Sequence, residues 1–415
     1  MALTSVELFS GAGGLAMGLT LAGFQSRAVV EWDKWACDTV RQNQARGYPL
    51  VTDWSIYEGD VRHWLRDFGN SLSRDAIDLV AGGPPCQPFS MGGKHGAHRD
   101  SRDMFPTTVD VIRTLKPRAF IVENVKGLTR ATFHTYYQYI LLQLEFPEIA
   151  KRPDDSWSEH HEKLQCHKTA KRDSACDGLT YRVIPTLVNA ANFGIPQKRE
   201  RVFIVGFRSD ISAQWSFPAE THSAEALLHA QWVTGEYWDA HMIAQKCRAP
   251  MTRSAQLAID RLRNLSNFSL TPSLRPWTTI RDALRGLSNP EISKISTHNH
   301  RYQPGARVYP GHTGSPLDQP AKTLKAGDHG VPGGENMMVR DDDSVRYFTV
   351  RESARLQTFP DGYVLHGSWS EAMRQLGNAV PVELGRRVAA SVAEHLLGVD
   401  ARRMSSQRTE SLVFA

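Results

Sequence analysis

The chain has 415 residues, of which 41% are hydrophobic and 22% charged, as in ordinary globular proteins and unlike disordered or collagen-like chains. Five scattered cysteines are too few for a disulfide scaffold, and neither a leader peptide nor a membrane-length apolar run is present. We therefore expect a cytoplasmic protein, with no membrane partner, made of one large core domain and a smaller module. The net charge of +5 is only a weak indication of an anionic partner.

The first predicted element is a short apolar strand over residues 4–9, which runs into the glycine-rich segment 10–14 and then a helix-like stretch. Glycines let a ligand approach the backbone closely, and a helix N-terminus offers free N–H groups. Strand, turn and helix together predict the first unit of a doubly wound α/β sheet. A plain tight turn and a dinucleotide site fit this segment as well.

Acidic residues follow the next two predicted strands. Glu31 and Trp32 come after the apolar run 28–30, and Asp60 follows the third unit. A carboxylate at the end of the second strand can accept both hydroxyls of a ribose, and a neighbouring indole can stack on an adenine. The alternatives are that Trp32 is a core aromatic and that Asp60 is a helix cap.

The most informative stretch is Gly82–Ser90, which directly follows the apolar run 77–81. The two glycines and two prolines that directly precede Cys86 constrain the backbone there, as the positioning of a nucleophile requires. A structural turn with a buried thiol is the alternative for an isolated Pro-Cys pair. The nine-residue run resembles the catalytic segment of the DNA (cytosine-5) methyltransferases.

This resemblance implies a reaction in which the Cys86 thiolate adds to C6 of cytosine, so that C5 can take a methyl group from S-adenosylmethionine. It also implies an α/β fold with a doubly wound, Rossmann-like domain and a smaller, irregular target-recognition domain. The cytosine would be flipped out of a specific double-stranded DNA sequence. The positions expected to bind the cofactor are Phe9, Gly11, Gly13, Glu31, Trp32, Asp60, Val61 and Asn378.

Two further segments resemble the family's catalytic motifs. Glu123 follows the apolar run 120–122 and would hydrogen-bond to the cytosine ring nitrogen N3. Arg199 and Arg201 precede another strand and are expected to project to the same side, with Arg201 contacting the cytosine and Arg199 supporting it. A helix cap at Glu123 and solvated charge at the arginines are the alternatives. The additional positions expected to bind substrate are Pro85, Gln87, Ser90, Arg102 and Gln197.

The segment 91–102 is rich in glycine and basic residues and follows the predicted nucleophile. It is a candidate lid over DNA, with a flexible surface loop as the alternative. The segment 145–179 contains His160, His161 and Cys176, but their spacing matches no standard zinc pattern. We therefore expect a surface insertion there and no metal site.

The domain boundaries follow from the same resemblance. Residues 1–208 are predicted to form the catalytic and cofactor-binding domain, and 209–346 the target-recognition domain. Segments 351–361 and 375–381 resemble the family's last two motifs, so 347–398 is expected to return to the catalytic domain, with a disordered tail over 399–415. The candidate contacts to DNA in the target-recognition domain are Arg301, Arg307, Lys322 and Lys325.

Two other functions remain open on the sequence. One branch of the family modifies tRNA, although a long variable region favours reading of a duplex. A catalytically silent protein that binds cofactor and DNA is the second alternative. For the leading interpretation the expected partner is double-stranded DNA at the bacterial nucleoid, with a cognate restriction endonuclease as a genetic partner.

Overall fold

A computed structural model describes residues 2–71, 77–85, 103–170, 178–211, 214–248, 251–266, 274–292, 297–310, 312–326 and 336–413. The chain forms two compact units. Unit 1 comprises Met1–Val188, Glu200–Pro218 and Gly385–Ala415, and unit 2 comprises Asn189–Arg199 and Ala219–Leu384. No helix in these described ranges is long and apolar enough to span a membrane.

Unit 1 is built on a seven-stranded sheet with the order β3-β2-β1-β4-β5-β7-β6. The strands from β3 to β5 pair in parallel, and β7 runs antiparallel to β5. Strands β2 and β3 lie on one side of β1, and β4 and β5 lie on the other. Because the strand order reverses between β1 and β4, a crevice is expected at the carboxyl ends of these two strands. The predicted doubly wound α/β fold is confirmed. The strands are β1 (Leu3–Leu8), β2 (Phe24–Glu31), β3 (Ile56–Glu58), β4 (Leu79–Gly82), β5 (Ala119–Val125), β6 (Tyr181–Asn189) and β7 (Glu200–Arg208).

The core of unit 1 lies between this sheet and its helices. All six residues of β1 are buried, as expected for a parallel strand covered on both faces. Phe105, Phe120 and Ile140 belong to the largest buried apolar cluster. The helices are α1 (Gly14–Leu21), α2 (Lys34–Ala45), α3 (Val61–Phe68), α4 (Phe105–Leu115), α5 (His134–Glu145) and α6 (Trp157–Ala170).

Both ends of the chain contribute to unit 1. The last helix, α13 (Val382–Val413), approaches α1 so closely that a Cβ added to Gly18 would lie 2.6 Å from the backbone nitrogen of Arg386. Arg118 donates to Asp400 of α13 at 2.5 Å and to Asp78 at 3.0 Å. The backbone is helical as far as Val413, which differs from the disordered tail predicted from residue 399.

Unit 2 consists of short elements around two small apolar clusters, one containing Phe348 and Leu356 and the other Tyr237 and Trp238. Its strands are β8 (His222–Ser223), β9 (Arg275–Pro276), β10 (Ser315–Pro316), β11 (Met337–Val339) and β12 (Val345–Tyr347). Its helices are α7 (Ala224–Trp232), α8 (Glu236–Ala240), α9 (Arg253–Ser266), α10 (Ile280–Leu284), α11 (Val350–Leu356) and α12 (Trp369–Asn378).

The compact units divide the chain differently from the predicted domains. Residues 347–384 pack within unit 2, whereas the sequence assigned 347–398 to the catalytic domain. The physical reason is visible at Arg351, which is fully buried and donates to the carbonyl oxygens of His298, Pro360 and Tyr363 at 3.2, 3.1 and 2.7 Å. Packing therefore continues across the predicted boundary at residue 346.

The insertion over 145–179 contains helix α6, which packs against α5. Both ring nitrogens of His160 are occupied, one by the Tyr139 hydroxyl at 2.9 Å and one by the Ile149 carbonyl oxygen at 2.8 Å. His160 is therefore a structural residue of this packing. Cys176 lies outside the described residues, and within the described ranges no group of three or more metal-ligating side chains is clustered.

Candidate active site

The glycine-rich turn after β1 has a backbone that only a few residue types adopt easily. Phe9, Gly11 and Gly13 have φ angles of 55, 54 and 86°. Gly13 caps α1, and its carbonyl oxygen accepts the first helical hydrogen bond, from Met17. A Cβ added at Gly11 would meet no atom within 4 Å, so the backbone angle rather than crowding favours glycine. The turn therefore leaves open space in which a ligand can approach its backbone.

Glu31, at the end of β2, holds this turn in place. Its Oε2 accepts the Gly11 N–H at 2.6 Å, and its Oε1 accepts the N–H groups of Trp32 and Asp33, both at 2.8 Å. A carboxylate oxygen accepts about two hydrogen bonds, so only Oε2 retains an acceptor position. Glu31 in this arrangement can receive one ribose hydroxyl rather than the two predicted. Burial raises the pKa of Glu31, and the three N–H donors oppose that shift.

A second buried carboxyl, Glu7 on β1, lies close enough to Glu31 for their charges to interact. Burial raises the pKa of Glu7 well above its ordinary value, a hydrogen bond from the Ala16 backbone lowers it, and the charge of Glu31 raises it further. Sequence reasoning assigned no role to Glu7. The available signal was an acidic residue inside an otherwise apolar strand.

The other predicted cofactor residues differ in their environments. Trp32 is 72% exposed, which rules out the alternative that it is a core aromatic. Asp60 caps α3, because its carboxylate accepts the Arg62 backbone N–H at 2.8 Å. The Arg62 guanidinium also lies 2.5 Å from the Asp60 carboxylate and lowers the pKa of this carboxyl. The cap interpretation is therefore correct, and a ligand would have to compete with Arg62. The side chain of Val61 is buried in the core, so only the backbone of Val61 could contact the cofactor.

The end of β4 leads towards the predicted nucleophile. Asn124 Nδ2 donates to the Pro84 carbonyl oxygen at 3.1 Å, which fixes the chain two residues before Cys86. A Cβ added to Gly83 would lie 3.1 Å from Glu123 Oε2, so the backbone here passes directly beside that carboxylate. Pro85 is half-buried and is the last described residue before a gap. The predicted site residues outside the described part of the chain are Cys86, Gln87, Ser90 and Arg102, together with the candidate lid over 91–102.

Glu123 and Arg201 form an ion pair at the adjoining edge of the sheet. In the β5–β7 ladder, Glu123 lies opposite Phe203 and Val125 lies opposite Arg201, so the two charged side chains are diagonal neighbours on one face. Arg201 Nε is 2.8 Å from Glu123 Oε1, and the side chains are only 12% and 10% exposed. Arg201 also donates to the Glu200 carbonyl oxygen at 2.8 Å. The pair thus fixes the Glu123 carboxylate beside the β4 end.

Comparison with known proteins identifies the family of this chain. The family model for C-5 cytosine-specific DNA methylases matches residues 3–147 and 159–394, which is most of the chain. The chain belongs to this family. The predicted enzyme class, a DNA (cytosine-5) methyltransferase of the restriction-modification type, is thereby confirmed. The break in the match, 148–158, falls inside the predicted surface insertion.

Individual relatives agree with the family assignment. The chain is 29% identical over 398 residues to the Type II methyltransferase M.Eco47II of Escherichia coli, a match that covers 95% of this chain and 79% of that protein. It is 27% identical over 391 residues to M.Sau96I of Staphylococcus aureus, with 94% and 75% covered.

Solved structures share the fold at low identity. Dnmt2 methyltransferase of S. pombe superposes with a TM-score of 0.53 at 18% identity, covering 95% of this chain and 99% of that one. The Entamoeba histolytica methyltransferase EhMeth gives a TM-score of 0.52 at 12% identity, with 95% and 99% covered. At such identities these likenesses concern the fold alone.

Two residues of the family's arginine motif have a different environment from the one expected. Arg199 is fully buried, and its guanidinium donates to the carbonyl oxygens of Leu324, Gly377 and Ala379 at 3.2, 2.7 and 2.9 Å. Gln197 is also fully buried, and its Oε1 accepts the Leu324 N–H at 2.9 Å. Both side chains thus bond to the backbone of other segments of unit 2. The supporting role of Arg199 and the substrate contact of Gln197 stay predictions.

The other predicted functional residues of unit 2 are exposed or half-buried. Asn378, at the end of α12, is exposed, and its contact with cofactor stays a prediction. Arg301 and Arg307 are exposed in a segment, 292–317, that contains no aspartate or glutamate. Lys325 is exposed and Lys322 is half-buried. Which of these side chains contacts bases stays a prediction too.

Proposed function

We propose that this protein transfers a methyl group from S-adenosylmethionine to C5 of a cytosine in a specific double-stranded DNA sequence, through a covalent bond between Cys86 and C6. The observation that carries the proposal is the joining of three features at one sheet edge. The β4 end that leads to Cys86 is tied to β5 by the Asn124–Pro84 hydrogen bond, and it lies beside Glu123, which is paired with Arg201. A nucleophile, an acid and a cation are what this reaction requires.

Each of these side chains has a distinct task in the reaction. The thiolate of Cys86 adds to C6, and electron density moves through the ring to N3. Glu123 hydrogen-bonds at N3 and stabilises that density, while Arg201 orients Glu123 and offers N–H groups to the cytosine O2. C5 then gains nucleophilic character and bonds to the methyl group, whose bond to the sulfonium sulfur breaks to leave a neutral thioether. Transfer of the C5 proton to water and expulsion of the Cys86 thiolate re-form the C5–C6 double bond and restore the enzyme.

The residues around the glycine-rich turn fit S-adenosylmethionine, which would supply the methyl group. Gly11 leaves space for close approach, Glu31 retains one acceptor for a ribose hydroxyl, and the exposed indole of Trp32 is available for stacking on adenine. The turn carries no lysine or arginine, which agrees with a cofactor that lacks phosphate groups.

A DNA substrate implies base flipping, sequence recognition, a compartment and a genetic partner. A stacked cytosine is inaccessible at C6, so the base must be flipped out of the duplex. We assign sequence recognition to unit 2, whose arginines Arg301 and Arg307 are exposed and have no described partner. The resulting compartment is the cytoplasm, at the nucleoid, and a restriction endonuclease with the same recognition site is the expected genetic partner.

Methyl transfer from labelled cofactor to plasmid DNA and to tRNA tests this function. We expect label in DNA, and Cys86→Ala should abolish it while leaving binding to the recognition sequence mostly intact, since the thiol acts only in the chemical step. Cys166→Ala is the matched control, because Cys166 is an exposed free cysteine on α6. Label that appears only in tRNA, or turnover retained by Cys86→Ala, would refute the proposal.

A further inference from the structure

Two lysines of unit 2 are held side by side by the backbone. Ala321 donates its N–H to the Pro196 carbonyl oxygen at 2.9 Å, and Lys198 donates its own to the Ala321 carbonyl oxygen at 2.7 Å. The Thr323 hydroxyl donates to the Lys198 carbonyl oxygen, also at 2.7 Å. The segments that carry Lys198 and Lys322 are therefore paired, and the backbone holds the two lysines at adjacent positions.

The two ammonium groups contact only neutral partners. Lys198 Nζ donates to Gln319 Oε1 at 3.2 Å and lies 5.4 Å from the centre of the Trp277 ring. Lys322 Nζ donates to Thr313 Oγ1 at 2.8 Å. Across the described ranges neither lysine forms an ion pair, and Lys198 is exposed to solvent. Both positive charges are thus left without a counter-charge.

A carboxylate does lie close by in the sequence, but other groups occupy it. Asp318 directly precedes Gln319, and its Oδ1 accepts from Arg281 Nε at 2.6 Å and from the Tyr237 hydroxyl at 2.9 Å. Its Oδ2 accepts from Arg281 Nη2 at 3.2 Å. Thr313, which holds Lys322, belongs to the segment 292–317 without acidic residues. Within the part of the chain that the structure describes, Asp318 therefore neutralises Arg281, and no carboxylate pairs with either lysine.

Keeping two like charges close together costs folding free energy, which a bound anion would offset. Desolvation by the surrounding protein atoms lowers the pKa of Lys198 even though its side chain reaches solvent, and the charge of Lys322 lowers it further, so the two ammonium groups interact. Local arrangements that oppose stability are expected at functional sites. An ammonium group is a point charge that suits phosphate oxygens, whatever the base sequence.

We propose that Lys198 and Lys322 together bind one phosphate of the DNA backbone. This inference rests on the proposed function and adds to it a contact that positions the duplex independently of its sequence. Because the contact is electrostatic, its loss should weaken binding equally for all sequences and reduce the dependence of binding on salt.

The recognition site is first located by bisulfite sequencing of DNA from cells that express the protein. The test then compares the double variant Lys198→Gln/Lys322→Gln with wild type in binding a short duplex that carries this site. Dissociation constants are measured between about 50 and 200 mM salt. We expect the double variant to bind roughly tenfold more weakly at the low-salt end. The slope of log K against log salt should fall by about 1, and Lys198→Arg/Lys322→Arg should retain the wild-type slope.

Lys163→Gln is the matched control, because Lys163 is an exposed lysine of α6 whose charge is already paired with Asp155 at 2.6 Å. It should leave the slope unchanged. A purely structural role for the lysines predicts a lower Tm without a change in slope, whereas a phosphate contact predicts a smaller slope with Tm maintained or raised. An unchanged slope in the double variant, or an equal change in Lys163→Gln, would overturn the inference. Wild-type methylation of DNA would then still support the proposed function, and its absence would refute that function separately.

Discussion

Two places in the molecule keep a guanidinium away from solvent with different partners: the sheet edge in unit 1 that carries the Glu123–Arg201 pair, and the cluster of carbonyl oxygens around Arg199 in unit 2. At the edge, Arg201 pairs with the Glu123 carboxylate at 2.8 Å. In the cluster, Arg199 donates to the backbone carbonyl oxygens of Leu324, Gly377 and Ala379. The two arginines are only two residues apart in the chain.

The difference in partners implies a difference in role. A guanidinium paired with one carboxylate at a partly open edge can share its donors with an incoming base. A guanidinium that satisfies carbonyl oxygens from two distant segments cannot be released without leaving buried acceptors unpaired. We therefore expect changes at the edge to affect catalysis and changes in the cluster to affect stability.

Glu123→Gln should produce the largest effect. The amide keeps the shape of the side chain and an acceptor for Arg201, but it cannot share an acidic proton with N3, so kcat should fall by about 10²–10⁴-fold. The free energy of unfolding should change by only about 1 kcal/mol. Steady-state methylation and chemical denaturation measure the two effects. Glu200→Gln is the control, because that exposed carboxylate pairs with Lys126 and should retain activity. Equal kcat in both variants would remove Glu123 from the chemistry.

Substituting lysine at Arg199 and at Arg201 tests whether the first arginine acts in stability and the second in catalysis. Arg199→Lys loses the planar fork that reaches several carbonyl oxygens, so the free energy of unfolding should fall by about 3 kcal/mol. Its folded fraction should still methylate DNA at a permissive temperature. Arg201→Lys should show the reverse pattern, with stability within about 1 kcal/mol of wild type and kcat lower by about 10²-fold. If Arg199→Lys instead lost kcat at full stability, the assignment of Arg199 as structural would be wrong.

A smaller effect is expected at Glu7, through the pH dependence of stability. Because folding raises the pKa of Glu7 well above its ordinary value, the unfolded chain releases this proton first as pH rises. Once pH exceeds the pKa of Glu7 in the unfolded chain, the group therefore lowers the free energy of unfolding, and Glu7→Gln removes this loss of stability. We expect Glu7→Gln to raise Tm by about 2 °C near neutral pH and to match wild type in acid. Glu162→Gln, exposed on α6, is the control, and a Tm difference independent of pH would contradict the assignment.

Several strands of unit 1 could be predicted because parallel strands covered on both faces appear as continuous apolar runs. The runs ending near Glu31 and Glu123 correspond to β2 and β5, and both carboxylates lie at or near strand ends as expected. The sequence indicates no role for the neighbouring Asn124, although its hydrogen bond to Pro84 ties β4 to β5.

The environments of Arg199 and Gln197 could not be predicted in the same way. The motif gives their spacing to Arg201, but the partners of Arg199 lie more than a hundred residues later in the chain. The extent of unit 2 depends on similar contacts, such as those of Arg351, which local patterns do not reveal. Long-range packing of polar groups therefore set the limit of the sequence-based assignment.

Trapping on DNA that contains 5-fluorocytosine tests the central claim most directly. Fluorine at C5 cannot be removed as a proton is, so the enzyme should remain covalently attached after methyl transfer. We predict a denaturation-resistant complex that requires S-adenosylmethionine, with mass spectrometry of its peptides showing the modified base on Cys86. A catalytically silent binder would give no adduct, and an adduct on any other residue would contradict the account.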